Sequence, residues 1–441
     1  MKKAVLSIAL LSLLGLGAPA SAVICAIDDV PAATLLLPYF EVDLSNPNGL
    51  TTLLSINNAE AVAILAHVVV WSDLSVPVLD FNIYLTGYDV QTINLRDIVV
   101  NGTLPSTASV GQDPSDTISP QGIFSQDINF ASCTGQLPAP TLTAEFVQHL
   151  RLSLTGKSSS ILGNRCAGRD LGDNVARGYV TVDTVNNCTL RFPGDAGYFG
   201  PGGDVTNQNF LWGDYAYVNA DENFAQGETL VHIEAAPGTG LDFGSTYGAD
   251  PQTGVSGQYT FYGRYVGWNA SDNREPLATS FAARFLNGGP FTGGTTFICW
   301  RDSKTNQGAF TCPVAPTVRP TWFPLSQEQV VIFDESENPE VPVSLPVSPQ
   351  PPGAELLICP AEAQRVKVDG PDLPVTPIFG WIYANLNTTI TGNPNPPEDP
   401  TAAQAWIETV MDAQGRFSIG YDAIKFDSAC NAKHVRIGSA G

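Results

Sequence analysis

Short apolar segments separated by turns that contain Gly, Pro or Asn are the feature that most restricts the fold of this chain. Between residues 32 and 100 they predict strands over 34–42, 51–57, 64–71, 78–85 and 90–98. Within 78–85 the apolar residues Leu79, Phe81 and Ile83 alternate with polar neighbours, which is the period of a half-buried strand. Strands of this length with short turns predict a mainly β chain built of antiparallel β-sandwich domains.

Two of these strands resemble a known family. The sequence LDFNIYL at 79–85, followed by a turn and VQTINL at 90–95, is similar to the paired strands of immunoglobulin-like sandwich modules, which are common in exported bacterial proteins. The resemblance covers residues 32–105. It implies a fold and no activity, because the family has no single function.

The N-terminus has the three parts of a secretory signal peptide. Lys2 and Lys3 precede an apolar run over 4–17, and Ala20-Ser21-Ala22 is a small-x-small cleavage site. We expect cleavage after Ala22, so that residues 1–22 are removed, and the short Lys-Lys start indicates a bacterial signal. Later segments fall short of the ~20 apolar residues that a membrane helix needs. The periplasm, the cell surface and the extracellular space are the expected destinations.

The charge balance restricts the partners. The formal net charge is −22, although charged residues make up only 15% of the chain. An acidic surface repels phosphate backbones, so nucleic acid is excluded as a partner. Glycans and other envelope proteins remain as candidates.

Eight cysteines follow the predicted cleavage site, and an even number in an exported chain predicts four disulfides. Local closure favours a sequential pairing, in which each cysteine joins the next one along the chain. The predicted pairs are Cys25–Cys133, Cys166–Cys188, Cys299–Cys312 and Cys359–Cys430.

The domain prediction follows changes in periodicity. Residues 23–140 form one β-sandwich domain, 141–170 a helix and connection, and 171–441 a second β-rich domain, with the Pro-rich segment 338–353 as an alternative boundary inside it. Apolar residues three and four apart predict helices over 141–154 and 402–411. Strands are predicted over 176–184, 214–219, 228–235, 256–268, 295–300, 330–333, 379–386 and 416–426.

Acid-rich turns suggest a calcium site, because Ca²⁺ takes six to eight hard oxygen ligands. The same residues are also good turn formers on an acidic protein, and this interpretation is favoured. The candidate ligands are Asp170, Asp173, Asn174, Asp221 and Glu222.

The segment 259–268 concentrates aromatic residues, and it has two interpretations. If exposed, Tyr259, Tyr262, Tyr265 and Trp268 form a platform that stacks on sugar rings, with Glu234 or Glu275 as nearby carboxylates. If buried, they are core, which is favoured because aromatic side chains dominate strand interiors.

Residue chemistry leaves three functions open. The four histidines are isolated in sequence and form no metal-ligand or triad spacing. The leading prediction is therefore an exported, non-catalytic protein of structure, adhesion or recognition. The alternatives are a glycan hydrolase or carbohydrate-binding protein, and a calcium-stabilised surface or matrix component.

Overall fold

The computed structural model describes the chain in part. The described residues are 30–105, 133, 137, 141–235, 260–266, 272–288, 293–303, 308–314, 327, 329–340, 358–359, 361–370, 373–386 and 403–426. The predicted signal peptide, residues 1–22, lies outside them.

The first half of the chain contributes nine strands and two helices to the described structure. The strands are β1 (Thr34–Asp43), β2 (Thr51–Asn58), β3 (Ile64–Ser72), β4 (Pro77–Leu85), β5 (Val90–Asn94), β6 (Val175–Val185), β7 (Leu211–Asn219), β8 (Phe224–Thr229) and β9 (Val231–Ile233). The helices are α1 (Leu95–Val99) and α2 (Ala144–Leu154).

The described remainder is also mainly β. It has one helical turn, α3 (Gly263–Val266), and the strands β10 (Ser280–Leu286), β11 (Gly294–Ser303), β12 (Gln329–Asp334), β13 (Pro339–Glu340), β14 (Ala363–Lys367), β15 (Phe379–Asn385), β16 (Ala403–Asp412), β17 (Ser418–Asp422) and β18 (Ile424–Lys425).

These strands form four antiparallel sheets. Sheet I has the order β4-β3-β6-β1-β9 and sheet II the order β5-β2-β7-β8. Sheet III has the order β14-β11-β16-β17 and sheet IV the order β13-β12-β15-β10-β18. Strands from 175–233 pair with strands from 34–94, so sheets I and II extend across the predicted domain boundary at 140–170.

Sheet I is covered on both faces. On one face Leu35 approaches sheet II so closely that a Cβ on Gly213 would lie 3.1 Å from Leu35 Cδ1. On the other face the Tyr179 ring meets Trp300 of sheet III at 5.9 Å. Burial on both faces explains why β1 and β3 are continuous apolar runs rather than alternating ones.

The opposite face of sheet III packs on sheet IV. Phe297 and Cys299 of β11 lie in a core with Phe281 of β10 and Ile382 of β15. The next residues of β11, Ile298 and Trp300, belong instead to the core shared with sheets I and II. Because successive side chains of a strand point to opposite faces, β11 contributes to both cores and connects the two halves of the molecule.

One predicted helix is confirmed and one is wrong. In α2 the Thr143 side chain accepts a hydrogen bond from Phe146 N, which caps the helix at its first turn. Residues 402–411 were predicted to be helical, but 403–412 form β16. Both faces of β16 are buried, so its apolar residues do not alternate, and a short apolar run of this kind does not distinguish a helix from a strand.

Two strand predictions also need correction. Strand β5 ends at Asn94, whose side chain accepts a hydrogen bond from Arg96 N and starts α1, although a strand was predicted to residue 98. Within the predicted strand 256–268, the described residues 260–266 contain the helical turn α3. Tyr262 N there donates to Asp272 Oδ2, a side chain, rather than to a neighbouring strand.

The sequential disulfide pairing is wrong. The observed bridges are Cys133–Cys188, Cys166–Cys312 and Cys299–Cys359, while Cys25 and Cys430 fall outside the described ranges. Loop closure favours local pairs only weakly, by about 0.6 kcal/mol for each halving of loop length. The disulfide pairing is set by which strands and bridges lie together. A backbone bridge between Cys166 and Phe310 places Cys312 beside Cys166.

Candidate functional site

The charged side chains of the interior concentrate where sheet I meets sheet III. Arg264 of α3 contacts Asp302 of β11 at 2.9 Å and Glu362, which precedes β14, at 3.0 Å. All three are buried. Burial raises the pKa of Glu362 to about 8, and the neighbouring Asp302 and Asp73 add to this, against the opposing effect of Arg264.

A second cluster surrounds Asp183 of β6. Its carboxylate accepts hydrogen bonds from Thr34 at 2.5 Å, Tyr198 at 2.6 Å and Tyr262 at 2.8 Å. The Nε atom of Arg274 lies 3.4 Å from Asp183 Oδ1. The cluster is closed to solvent, and it joins β1 and β6 to the connection that leads into sheet IV.

A third cluster joins β1 to β14. Glu41 Oε2 lies 2.6 Å from Arg365 Nη1, and Glu41 Oε1 lies 3.2 Å from Arg177 Nε. Burial by itself would raise the pKa of Glu41, but Arg365 and Arg177 hold it below its usual value. Glu41 therefore stays ionised and holds sheet I against sheet III.

Sheets II and III meet at Glu408 of β16. Tyr215 of β7 and Gln226 of β8 each donate a hydrogen bond to this carboxyl group at 2.6 Å. Burial raises the pKa of Glu408 to about 8, because both partners are neutral and no cation is among the groups that shift it. These four clusters stabilise contacts between sheets and leave no exposed reacting group among their carboxylates.

The structure places the two described residues of the predicted aromatic platform in the interior. Tyr262 is 2% exposed and donates to Asp183, so it cannot stack on a sugar. Tyr265 is half-buried, with its ring 5.4 Å from that of Trp71. Tyr259 and Trp268 lie outside the described ranges.

Two of the predicted acidic turns converge on the loop that follows β1. Asn174 Nδ2 donates to Ser45 Oγ, and Asn46 Nδ2 donates to Asp221 Oδ2. Asp173 pairs with Arg177, which lowers the pKa of Asp173. The carboxylate of Asp170 accepts from Gly172 N and the backbone of Glu222 donates to Asn219. Among the described residues, no three His, Cys, Asp or Glu side chains are grouped to hold a metal ion.

The structure brings Glu234 and Glu275 together. Ala235 and Arg274 form an antiparallel bridge, and Glu275 N donates to Glu234 O at 3.0 Å. The two glutamates are therefore directly opposed and share a face, with Cβ atoms about 5 Å apart. They are 3% and 8% exposed, and burial raises the pKa of Glu234 to about 7.

The outer face of sheet II contains polar and aromatic residues that the sequence analysis missed. Trp212 of β7 is 37% exposed, and its ring meets His232 at 5.3 Å. The adjacent Asp214 is exposed. The signal was present in the sequence, since Trp212 and Asp214 alternate with Leu211, Gly213 and Tyr215, the period of a half-exposed strand.

The described histidines support packing. The ring nitrogens of His67 and His149 have polar partners in the interior, Asn82 and Ser159 respectively, and burial lowers both pKa values. His232 Nε2 accepts a hydrogen bond from Gly213 N. His434 is beyond the last described residue.

Comparisons with protein-family models, curated proteins and solved structures give no match for this chain. In the part of the chain that the structure describes, no helix is long and apolar enough to cross a membrane.

Proposed function

We propose that this protein is an exported, non-catalytic component of the cell envelope or extracellular space, acting in structure, adhesion or recognition. The observation that carries the proposal is the use of interior charges. Four buried charged residues hold sheets from both halves of the chain together. They are Arg264, Asp183, Glu41 and Glu408. A protein whose sheets are held together in this way has an outer surface of constant shape, which structural and recognition proteins need.

The proposal includes tandem immunoglobulin-like sandwiches behind a bacterial signal peptide. Sheets I and II would form the first sandwich, and sheets III and IV the second. The three disulfides agree with an oxidising compartment.

Fractionation of bacteria that express the full chain tests this proposal. We expect the protein outside the cytoplasm, beginning at Val23, with its cysteines oxidised. Reduced protein in the cytoplasm with the N-terminus retained would contradict it.

Glycan hydrolysis is a second candidate, favoured by the pair Glu234 and Glu275. The two glutamates are directly opposed and the pKa of Glu234 is raised to about 7, and carboxyl groups of this kind serve as acid and nucleophile in retaining glycosidases. The test is release of reducing sugar from neutral polysaccharides by the wild type and by Glu234→Gln. Turnover that is lost in the variant would establish the hydrolase and refute the non-catalytic proposal.

A further inference from the structure

We infer that the outer face of sheet II is a binding site for a neutral polysaccharide, centred on Trp212. This inference rests on the recognition function proposed above and assigns it a surface and a ligand class. It starts from the register of three strands. Asn57 of β2 is directly opposite Val90 of β5 and Trp212 of β7, so these three side chains form one row across the sheet.

Two further rows lie parallel to the first on the same face. Ser55 is opposite Thr92 and Asp214, and Leu53 is opposite Ala216. Successive rows are about 6.8 Å apart along the strands, and neighbouring strands are about 4.8 Å apart. The face is thus at least three strands wide.

The face is open to solvent at its apolar positions. Val90 is 59% exposed, and Leu53 and Trp212 are each more than one-third exposed. The side chains between them are small or polar, which leaves the indole ring accessible from above. His232 packs against Trp212 from the side, so the ring is positioned before a ligand arrives.

Hydrogen-bonding groups flank the aromatic ring. Asp214 is exposed in the next row, and Asn57, beside the ring in the same row, is partly exposed. A sugar ring has an apolar C–H face and a rim of hydroxyl groups, so it can stack on Trp212 while its hydroxyls bind the carboxylate of Asp214.

Charge selects a neutral ligand. Asp214 is the single charged residue in these three rows, and the whole chain has a formal charge of −22. An anionic polysaccharide would be repelled, and a cationic partner would find only one carboxylate. Rows of side chains that extend across three strands also suit an extended chain better than a small molecule, which binds in a concave pocket.

Affinity electrophoresis of the oxidised mature protein, residues 23–441, in gels containing single neutral polysaccharides tests the inference. Titration calorimetry then measures affinity for the polysaccharide that retards it. We expect Trp212→Ala to weaken binding at least tenfold and Trp212→Phe to restore part of it. Thr92→Arg, which adds a large side chain to the exposed face, should also weaken binding without disturbing the core.

Phe417→Ala is the matched control, because Phe417 is 47% exposed but lies next to β17 of sheet III. It should bind within twofold of the wild type. Absence of binding to any neutral polysaccharide, retention of affinity in both Trp212→Ala and Thr92→Arg, or binding of a protein partner instead would overturn the inference. Correct export in the fractionation test would still leave the broader proposed function standing, so the two failures are distinguishable.

Discussion

Replacing Glu408 with Gln should change how the stability of this protein depends on pH. Glu408 is buried between Tyr215 and Gln226, and its pKa is raised to about 8 from a usual value near 4.5. Between these two pH values the folded protein retains a proton that the unfolded chain releases. The wild type should therefore lose stability as pH rises through this window, and Gln, which resembles the protonated carboxyl group, should not.

The magnitude follows from proton linkage. A one-proton difference changes the free energy of unfolding by about 1.4 kcal/mol per pH unit. From pH 5.5 to pH 7.5 the wild type should therefore lose up to about 3 kcal/mol relative to Glu408→Gln. Neighbouring carboxylates, Asp422 and Glu228, raise the pKa further and act in the same direction.

Equilibrium unfolding in urea at pH 5.5, 6.5 and 7.5, with disulfides intact, measures this difference. Other groups titrate equally in both proteins, so their contributions cancel. Glu60→Gln is the control, because it makes the same substitution at an exposed position. A constant difference between the wild type and Glu408→Gln across the three pH values would refute the reasoning.

Three further predictions concern the interior and the proposed metal. Arg264→Met leaves Asp302 and Glu362 without their cation and should lower the free energy of unfolding in urea by about 3–5 kcal/mol. Arg191→Met, in a half-exposed pair with Asp204, should lower it by less than about 1 kcal/mol. Equal losses of stability in the two variants would contradict the role given to Arg264. Gly178→Ala should destabilise the protein several times more than Gly308→Ala. The new Cβ atom at residue 178 would lie 1.9 Å from Trp71 O, whereas nothing lies within 4 Å of a Cβ atom at residue 308. Thermal denaturation compares the two variants, and equal melting temperatures would contradict the close packing at Gly178. Excess EDTA should leave the melting temperature unchanged, because Asp173 and Asp221 already have protein partners; a fall of several degrees would support the calcium hypothesis instead.

Sequence pattern predicted the strands whose neighbours are local. Strands β1 to β4 follow the expected bounds within one residue. Gly or Pro lies in the turn after β1, at the start of β4 and in the turn after β4. The pattern failed at 403–412, where burial on both faces removes the alternation, and at 260–266, where a side-chain acceptor replaces a strand partner.

The clusters of buried charge could not be predicted from spacing. Thr34 and Asp183 are 149 residues apart in sequence, and Arg274 is 240 residues from Thr34. Their proximity depends on strand order and on the packing of sheet I against the second half of the chain. Trp212 is different, since its own strand carries the alternation that marks an outward-facing residue.

The strand order of sheet I has a consequence for folding during chain synthesis. Strand β6 lies between β1 and β3, although about 100 residues of chain separate it from β3. Neither β1 nor β3 can acquire this central neighbour until residue 185 has been synthesised. Such non-local pairing is slow to form. A chain that emerges from its N-terminus therefore cannot complete sheet I until β6 has followed β1 and β3.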